Sequence, residues 1–280
     1  MAVLNQILRH LFDALLYPLR ELPPFVSLAI LSLVLAIAIL LVYRATSDQT
    51  RIAHAKRQIQ AGFFEIRLFN DDPRAILRAQ NDIFLNNLKY LRTSLVPLFW
   101  LIVPLTLVIA HLQPFYGYRP FRTGETFLVQ LKLQERAGAA APTPHTRPEA
   151  ELRIAPGLVQ ETPGVWIPSR SELVWRLRAD RPGRYALQAQ VGGQEFAKDL
   201  IVSSVFARLS PVRQTPSLVG QFQYPAESPL PASSPIQSIC VDYPSRDYTI
   251  FGWRLPWLAV FFGLVTAFAL LLKGRFRVSL

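Results

Sequence analysis

The chain has 280 residues, 51% of them hydrophobic and 18% charged, with a net charge of +11 and a single cysteine. Such a length can hold two domains, and the lone Cys240 excludes an internal disulfide. The basic excess suits nucleic acid or a membrane surface. With no aromatic-interleaved basic motif in view, sequence-specific nucleic-acid binding is set aside in favour of anionic lipid.

Residues 1–22 place Leu4, Ile7, Leu8, Leu11, Leu15, Leu19 and Leu22 on one helical face, with Asn5, Arg9, Asp13 and Arg20 off it. This predicts an amphipathic helix lying on the bilayer surface, or one packed on protein; the spacing serves both. It is too charged for the apolar part of a signal peptide. Pro23-Pro24 then turns the chain into residues 23–43, which carry no charge. Residues 93–113 are charge-free apart from His111, and residues 255–272 form a third uncharged block. Each is long enough as a helix to cross a hydrocarbon layer of roughly 30 Å.

Between the first two spans, residues 44–92 carry nine basic and five acidic residues. Ile52, Ala55, Ile59, Gly62 and Ile66 recur at helical spacing. So do Leu77, Phe84, Leu88, Leu91 and Leu95 after the break at Asn70-Asp71-Asp72-Pro73. An Asp cap with Pro in the first turn restarts a helix, so Asp72 and Pro73 are the expected hairpin cap. Two helices joined by a tight turn, each with one apolar stripe, predict an antiparallel hairpin rather than a solvated linker.

Basic residues in short flanks set orientation. The leading segment has Arg9 and Arg20, against nine in the hairpin and three in the tail 273–280. The hairpin and tail are therefore expected in the cytoplasm, with the N-terminus and residues 114–250 outside; a bacterial inner membrane fits best. That outer segment reads as β. Phe127/Val129/Leu131/Leu133, Leu173/Trp175/Leu177 and Tyr185/Leu187/Ala189/Val191 alternate, and Gly192-Gly193 is a hairpin signal. Pro182-Gly183-Arg184-Tyr185 after Asp180 is the turn expected where a tyrosine anchors the corner of an immunoglobulin-like sandwich. Residues 137–148 and 214–235, rich in Pro, read as loops. Tyr243, Tyr248, Trp253 and Trp257 are expected at headgroup depth.

The fold class predicted is thus membrane α-helical, with three transmembrane helices and a cytoplasmic antiparallel helical hairpin, plus an extracytoplasmic all-β immunoglobulin-like sandwich. No catalytic chemistry emerges. His10, His54, His111 and His145 fall in separate segments, and no phosphate loop or nucleophile elbow appears. No metal or cofactor is expected, and Asp71-Asp72 reads as capping rather than a carboxylate pair. Ser27, Ser32, Thr106 and Thr266 within the spans either help helices pack or wet a groove. Pro97 and Pro104 free backbone carbonyls in the second span.

Gln80-Asn81-Asp82, then Asn87 through Pro97 (NLKYLRTSLVP), then Ile102-Val103-Pro104, together with Tyr43 through Gln49, resemble the YidC/Oxa superfamily of membrane protein insertases. The likeness is to its minimal three-span branch, the archaeal YidC-like proteins and the EMC, TMCO and Get subunits of the endoplasmic reticulum. It covers roughly residues 1–113 and the last span. The resemblance implies insertion of weakly hydrophobic segments through a lipid-facing groove, wetted here by Ser32, Thr93, Ser94 and Thr106. Partners would be membrane lipid, nascent membrane proteins and the ribosome, met by a basic surface of Arg51, Lys56, Arg57, Arg74 and Arg78. The chain departs from the bacterial pattern in having no charged residue within its first span and in placing its β domain after the second. The competing expectation is a non-catalytic structural or assembly subunit whose outer β domain binds a partner in a membrane complex. A ligand sensor ranks behind both, for want of a recognisable output domain.

Overall fold

A computed structural model describes residues 2–46, 49–68, 72–134, 149–203 and 205–276. Residues 135–148, the whole of the predicted Ala/Pro/Thr loop among them, and the tail beyond Phe276 lie outside the described residues, as do Asn70 and Asp71 of the predicted turn. The chain combines antiparallel sheets with long helices, three of which are long and apolar enough to cross a membrane: Pro24–Thr46, Phe99–Tyr116 and Trp257–Phe276. It divides into two compact units, one of Met1–Ser27 with Leu107–Leu258, the other of Leu28–Thr106 with Ala259–Leu280.

The first unit begins with helix α1 (Ala2–Leu16), which gives way to a single 3-10 turn at Tyr17–Leu19 around Pro18. Its β part holds β1 (Thr126–Leu133), β2 (Ala150–Arg153), β3 (Leu158–Ile167), β4 (Glu172–Ala179), β5 (Gly183–Val191), β6 (Gln194–Val202), β7 (Val212–Gln214) and β8 (Ile236–Val241). These form a five-stranded sheet in the order β3-β4-β1-β8-β7 and a three-stranded sheet β2-β5-β6. Inward residues of both sheets, such as Val129, Leu173, Trp175, Leu187 and Phe196, join one buried core. Alternation along each strand makes this possible, since successive side chains point to opposite faces. Gly192 and Gly193 both have positive φ, so β5 and β6 meet in the two-residue turn that pairs Val191 with Gln194.

Residues 214–235 are not simply a loop. They include α5 (Leu218–Gln223), capped by Ser217, whose Oγ accepts the Gly220 N–H at 3.0 Å. Residues 247–256 form a hairpin of β9 (Asp247–Ile250) and β10 (Trp253–Pro256) that leads into helix α6 (Trp257–Phe276). Tyr243 corrects its expected place at headgroup depth. It is buried in the β core, stacked on Phe121 with its hydroxyl oxygen accepting the Ile201 N–H at 3.0 Å.

The second unit carries most of helix α2 (Pro24–Thr46), helix α3 (Gln49–Leu68), the greater part of helix α4 (Pro73–Tyr116) and most of α6. One stripe of α2 (Leu28, Leu31, Ser32, Ala36 and Leu40) is buried, whereas Val34 and Leu41 are exposed. A packed stripe containing small residues beside an open apolar face suits a helix solvated partly by lipid. α4 is a single helix of 44 residues running through Pro97 and Pro104, so hairpin leg and span are one element without an interruption between them.

Candidate functional site: the helical hairpin and the span ends

The hairpin starts from its turn. The Asp72 carboxylate accepts the Arg74 N–H at 2.9 Å, and Pro73 occupies the first helical position, where its missing N–H costs nothing. From there α4 runs back along α3. A side chain at Gly62 would meet Ile83 at 2.5 Å and the Ala79 carbonyl at 3.6 Å, and the Lys56 ammonium lies 5.5 Å from the centre of the Tyr90 ring. Pairing 62 with 83 and 56 with 90 is the register of an antiparallel helix pair folded about Asp72-Pro73.

This register corrects the expected inner stripe of α4. Leu77, Phe84, Leu88, Leu91 and Leu95 are exposed, and Ala79, Ile83 and Tyr90 face α3 instead. The small Gly62 and Ala79 let the helices approach, a contact that opposed leucines would hold apart. The leucine row therefore stays open along the outside of α4. On α3, Phe63, Phe64 and Leu68 are open as well.

Of the basic surface, Arg57, Arg74 and Arg78 are exposed on the hairpin, and Lys56 is drawn inward over Tyr90. The side chain of Arg51 lies outside what is described. The three described groove hydroxyls each bond their own helix. Ser32 is fully buried and donates to the Leu28 carbonyl at 2.8 Å; Thr93 donates to Lys89 O at 2.9 Å; Thr106, exposed, donates to Ile102 O at 2.8 Å. The side chain of Ser94 also lies outside what is described. Each described hydroxyl is satisfied by its own helix four residues back, the usual way a helix accommodates Ser or Thr in an apolar setting.

Within the first unit, the start of α2, the end of α4 and the start of α6 meet at Tyr116. Its buried hydroxyl donates to Ser27 Oγ at 3.0 Å, and its ring stacks on Trp257 with centroids 6.4 Å apart. Nearby, Phe25 packs on Tyr248 and Phe12 on His111. α1 turns its polar side inward: Asn5 donates to the Gln221 carbonyl at 2.7 Å, and Asp13 accepts from Arg208 at 2.7 Å and from Arg20 at 3.5 Å. Its Leu4, Ile7, Leu11 and Leu15 remain exposed.

Sequence reasoning missed this Arg–Asp cluster and the Tyr116 junction. The available signal was Asp13 set in sequence between Arg9 on α1 and Arg20 just after the 3-10 turn, and nothing local pointed to Arg208. It also missed Lys198, a fully buried lysine of β6 bonded to Glu227. Among the described residues no group of three His, Cys, Asp or Glu side chains is placed to hold a metal ion. No protein-family model, curated protein or solved structure matches the chain.

Proposed function

We propose that this chain is a YidC-like membrane protein insertase or chaperone that helps weakly hydrophobic segments into the bilayer. The observation that carries the proposal is the open row Leu77, Phe84, Leu88, Leu91, Leu95 and Ile102. It follows one face of one unbroken helix from the charged hairpin to the apolar span. Burying apolar surface is worth roughly 25 cal/mol per Å². An arriving apolar segment would hold contact with such a row while it leaves water, and would be released where lipid offers the same solvation.

In this reading the basic excess in the flanks of the first two spans favours a cytoplasmic hairpin. There the exposed Arg57, Arg74 and Arg78 would attract acidic partners such as ribosomal RNA or anionic lipid. Thr106 remains a polar point along the proposed path, whereas Thr93, two residues from Leu91 and Leu95, lies on another side of α4 and the buried Ser32 supports helix packing instead.

For the β domain the reading is an immunoglobulin-like sandwich. The order β8-β1-β4-β3 follows the A-B-E-D sheet of that fold, with β8 standing in for strand A, and β2-β5-β6 follows C-F-G. The Tyr185 hydroxyl, near the start of β5, donates to the Arg181 carbonyl at 2.7 Å, as the corner tyrosine of strand F does.

The alternative, an assembly subunit binding a partner through the β domain, draws on Leu218 and Val219, adjacent and exposed on α5. A photocrosslinking residue placed at Leu88, at Thr106 or at Val219 during translation of a small membrane protein separates the two. Adducts to the nascent chain from Leu88 and Thr106 are expected. A single stable partner caught from Val219, with no nascent chain on α4, would replace the insertase reading with the subunit reading.

A further inference from the structure

We infer that the cleft between α1 and the β5–β6 edge is a binding site for the phosphate of an anionic phospholipid. The cleft has a volume of about 600 Å³ and is lined by Arg20, Arg184 and Arg208 against one acid, Asp13. Asp13 accepts from Arg20 and Arg208 and so fixes the position of both guanidinium groups while cancelling one charge. Arg184 is exposed and makes no ion pair among the described residues. The Arg20 Nε–H is buried and has no acceptor among the described residues. A donor removed from water without an acceptor is costly, and an arriving phosphate oxygen supplies one. Planar guanidinium groups suit phosphate better than any other common side chain because they donate two parallel hydrogen bonds.

Lipid is the source favoured by where the cleft lies. Phe206 lines it and packs on Tyr116, the last residue of the second span, with ring centroids 5.0 Å apart. Arg20 stands shortly before Pro24, where the first span begins. The apolar face of α1, exposed at Ile7, Leu11 and Leu15, is the surface such a helix presents to acyl chains. A headgroup at this level reaches the arginines while its tails stay in the hydrocarbon.

The test uses the full chain in nanodiscs of phosphatidylcholine containing phosphatidylglycerol, released into the gas phase for native mass spectrometry. Wild type is expected to retain phosphatidylglycerol in preference to phosphatidylcholine. Arg184→Gln is expected to weaken retention roughly tenfold, the effect of losing one good charge-assisted hydrogen bond, and Arg184→Lys to restore part of it. Arg20→Gln is expected to act in the same direction. Arg181→Gln, outside the cleft lining, should leave retention unchanged. Equal retention of both lipids by wild type would overturn the site. So would equal losses from Arg181→Gln and Arg184→Gln, which would mean diffuse attraction to charge. Displacement of the lipid by inorganic phosphate at matched concentration would overturn the lipid assignment in favour of a soluble anion.

Discussion

The Lys198 ammonium, with none of its side chain exposed, meets the Glu227 carboxylate at 2.6 Å. Its protons reach three acceptors: Glu227, the Ser210 carbonyl and, at 3.4 Å, the Asp199 carbonyl. Glu227 in turn accepts from Ser210 Oγ at 2.7 Å and from the Asp199 N–H at 3.1 Å, which ties the Pro-rich segment after β7 to β6. Glu227→Ala leaves a buried cation without its counter-charge, which costs about 3–5 kcal/mol. The expected result is a lower midpoint for the β-domain transition in thermal or denaturant unfolding of the detergent-solubilised chain. A midpoint equal to wild type would show that the pair is not buried in solution.

The same lysine gives a pH signature. Burial holds the Lys198 ammonium below the ordinary lysine value of 10.5, more than the Glu227 carboxylate restores. The unfolded chain therefore binds that proton more tightly, and stability rises with pH from the folded value up to 10.5. Tyr243 and Tyr248 act in the opposite sense. Burial raises both hydroxyls above the ordinary value of 10.0, Tyr248 to about 12, so their contribution is lost as pH climbs beyond 10.0. Unfolding midpoints should accordingly rise on the approach to about pH 10 and fall above it. Lys198→Met should abolish the rise and keep the fall; superimposable profiles for the two proteins would refute the assignment.

Tyr116 joins segments far apart in the chain, since its hydroxyl reaches Ser27 89 residues away. Removing one buried hydrogen-bonding partner costs about 1–3 kcal/mol, and two partners of one bond do not add. Tyr116→Phe and Ser27→Ala should each lower the unfolding midpoint, and the double variant should lower it by no more than the worse single one. Tyr116→Ala, which also removes the ring from Trp257 and Phe206, should cost about 3–5 kcal/mol. Additive losses in the double variant would mean that the two hydroxyls do not meet.

Legibility in the sequence followed the range of the interaction. Period-two alternation exposed β1, β4 and β5, and Gly192-Gly193 exposed the turn to β6, because each signal lies within a few residues. The pairing of β1 with β8 did not show, because Val129 and Val241 are brought together only by the folded sheet. Lys198 sits between Phe196 and Leu200, both buried, so alternation alone pointed it inward. Its partner lies 29 residues on, in a stretch that reads as loop. The amphipathic face of α1 was legible: Leu4, Ile7, Leu11 and Leu15 stay open, as on a helix at a bilayer surface, whereas the packing of Asn5, Phe12, Asp13 and Leu16 on protein rests on distant partners such as Gln221 and Arg208. The groove residues were chosen for their hydroxyls, and sequence does not reveal that a serine or threonine has spent its hydrogen bond on its own helix.

The hairpin gives the last prediction, because its closeness rests on one missing side chain. A Cβ at Gly62 would sit 2.5 Å from Ile83 Cγ1, inside any real carbon contact, whereas the same space is filled by Ile83 itself in the native pair. Gly62→Leu therefore overpacks the contact, at about 1–3 kcal/mol, and levers α3 from α4 at the point that sets their register. Arg57 and Arg67 are exposed on α3, and cleavage by trypsin needs the helix to open locally. Cleavage at these two sites should accelerate roughly five- to a hundredfold in Gly62→Leu, the factor that such a penalty implies when opening is in rapid equilibrium. Adding Ile83→Ala returns volume to the contact and should recover most of the protection. If Gly62→Leu were cleaved at the wild-type rate, α3 and α4 would not be packed against each other at this level, and the open row on α4 would lose the helix that holds its face outward.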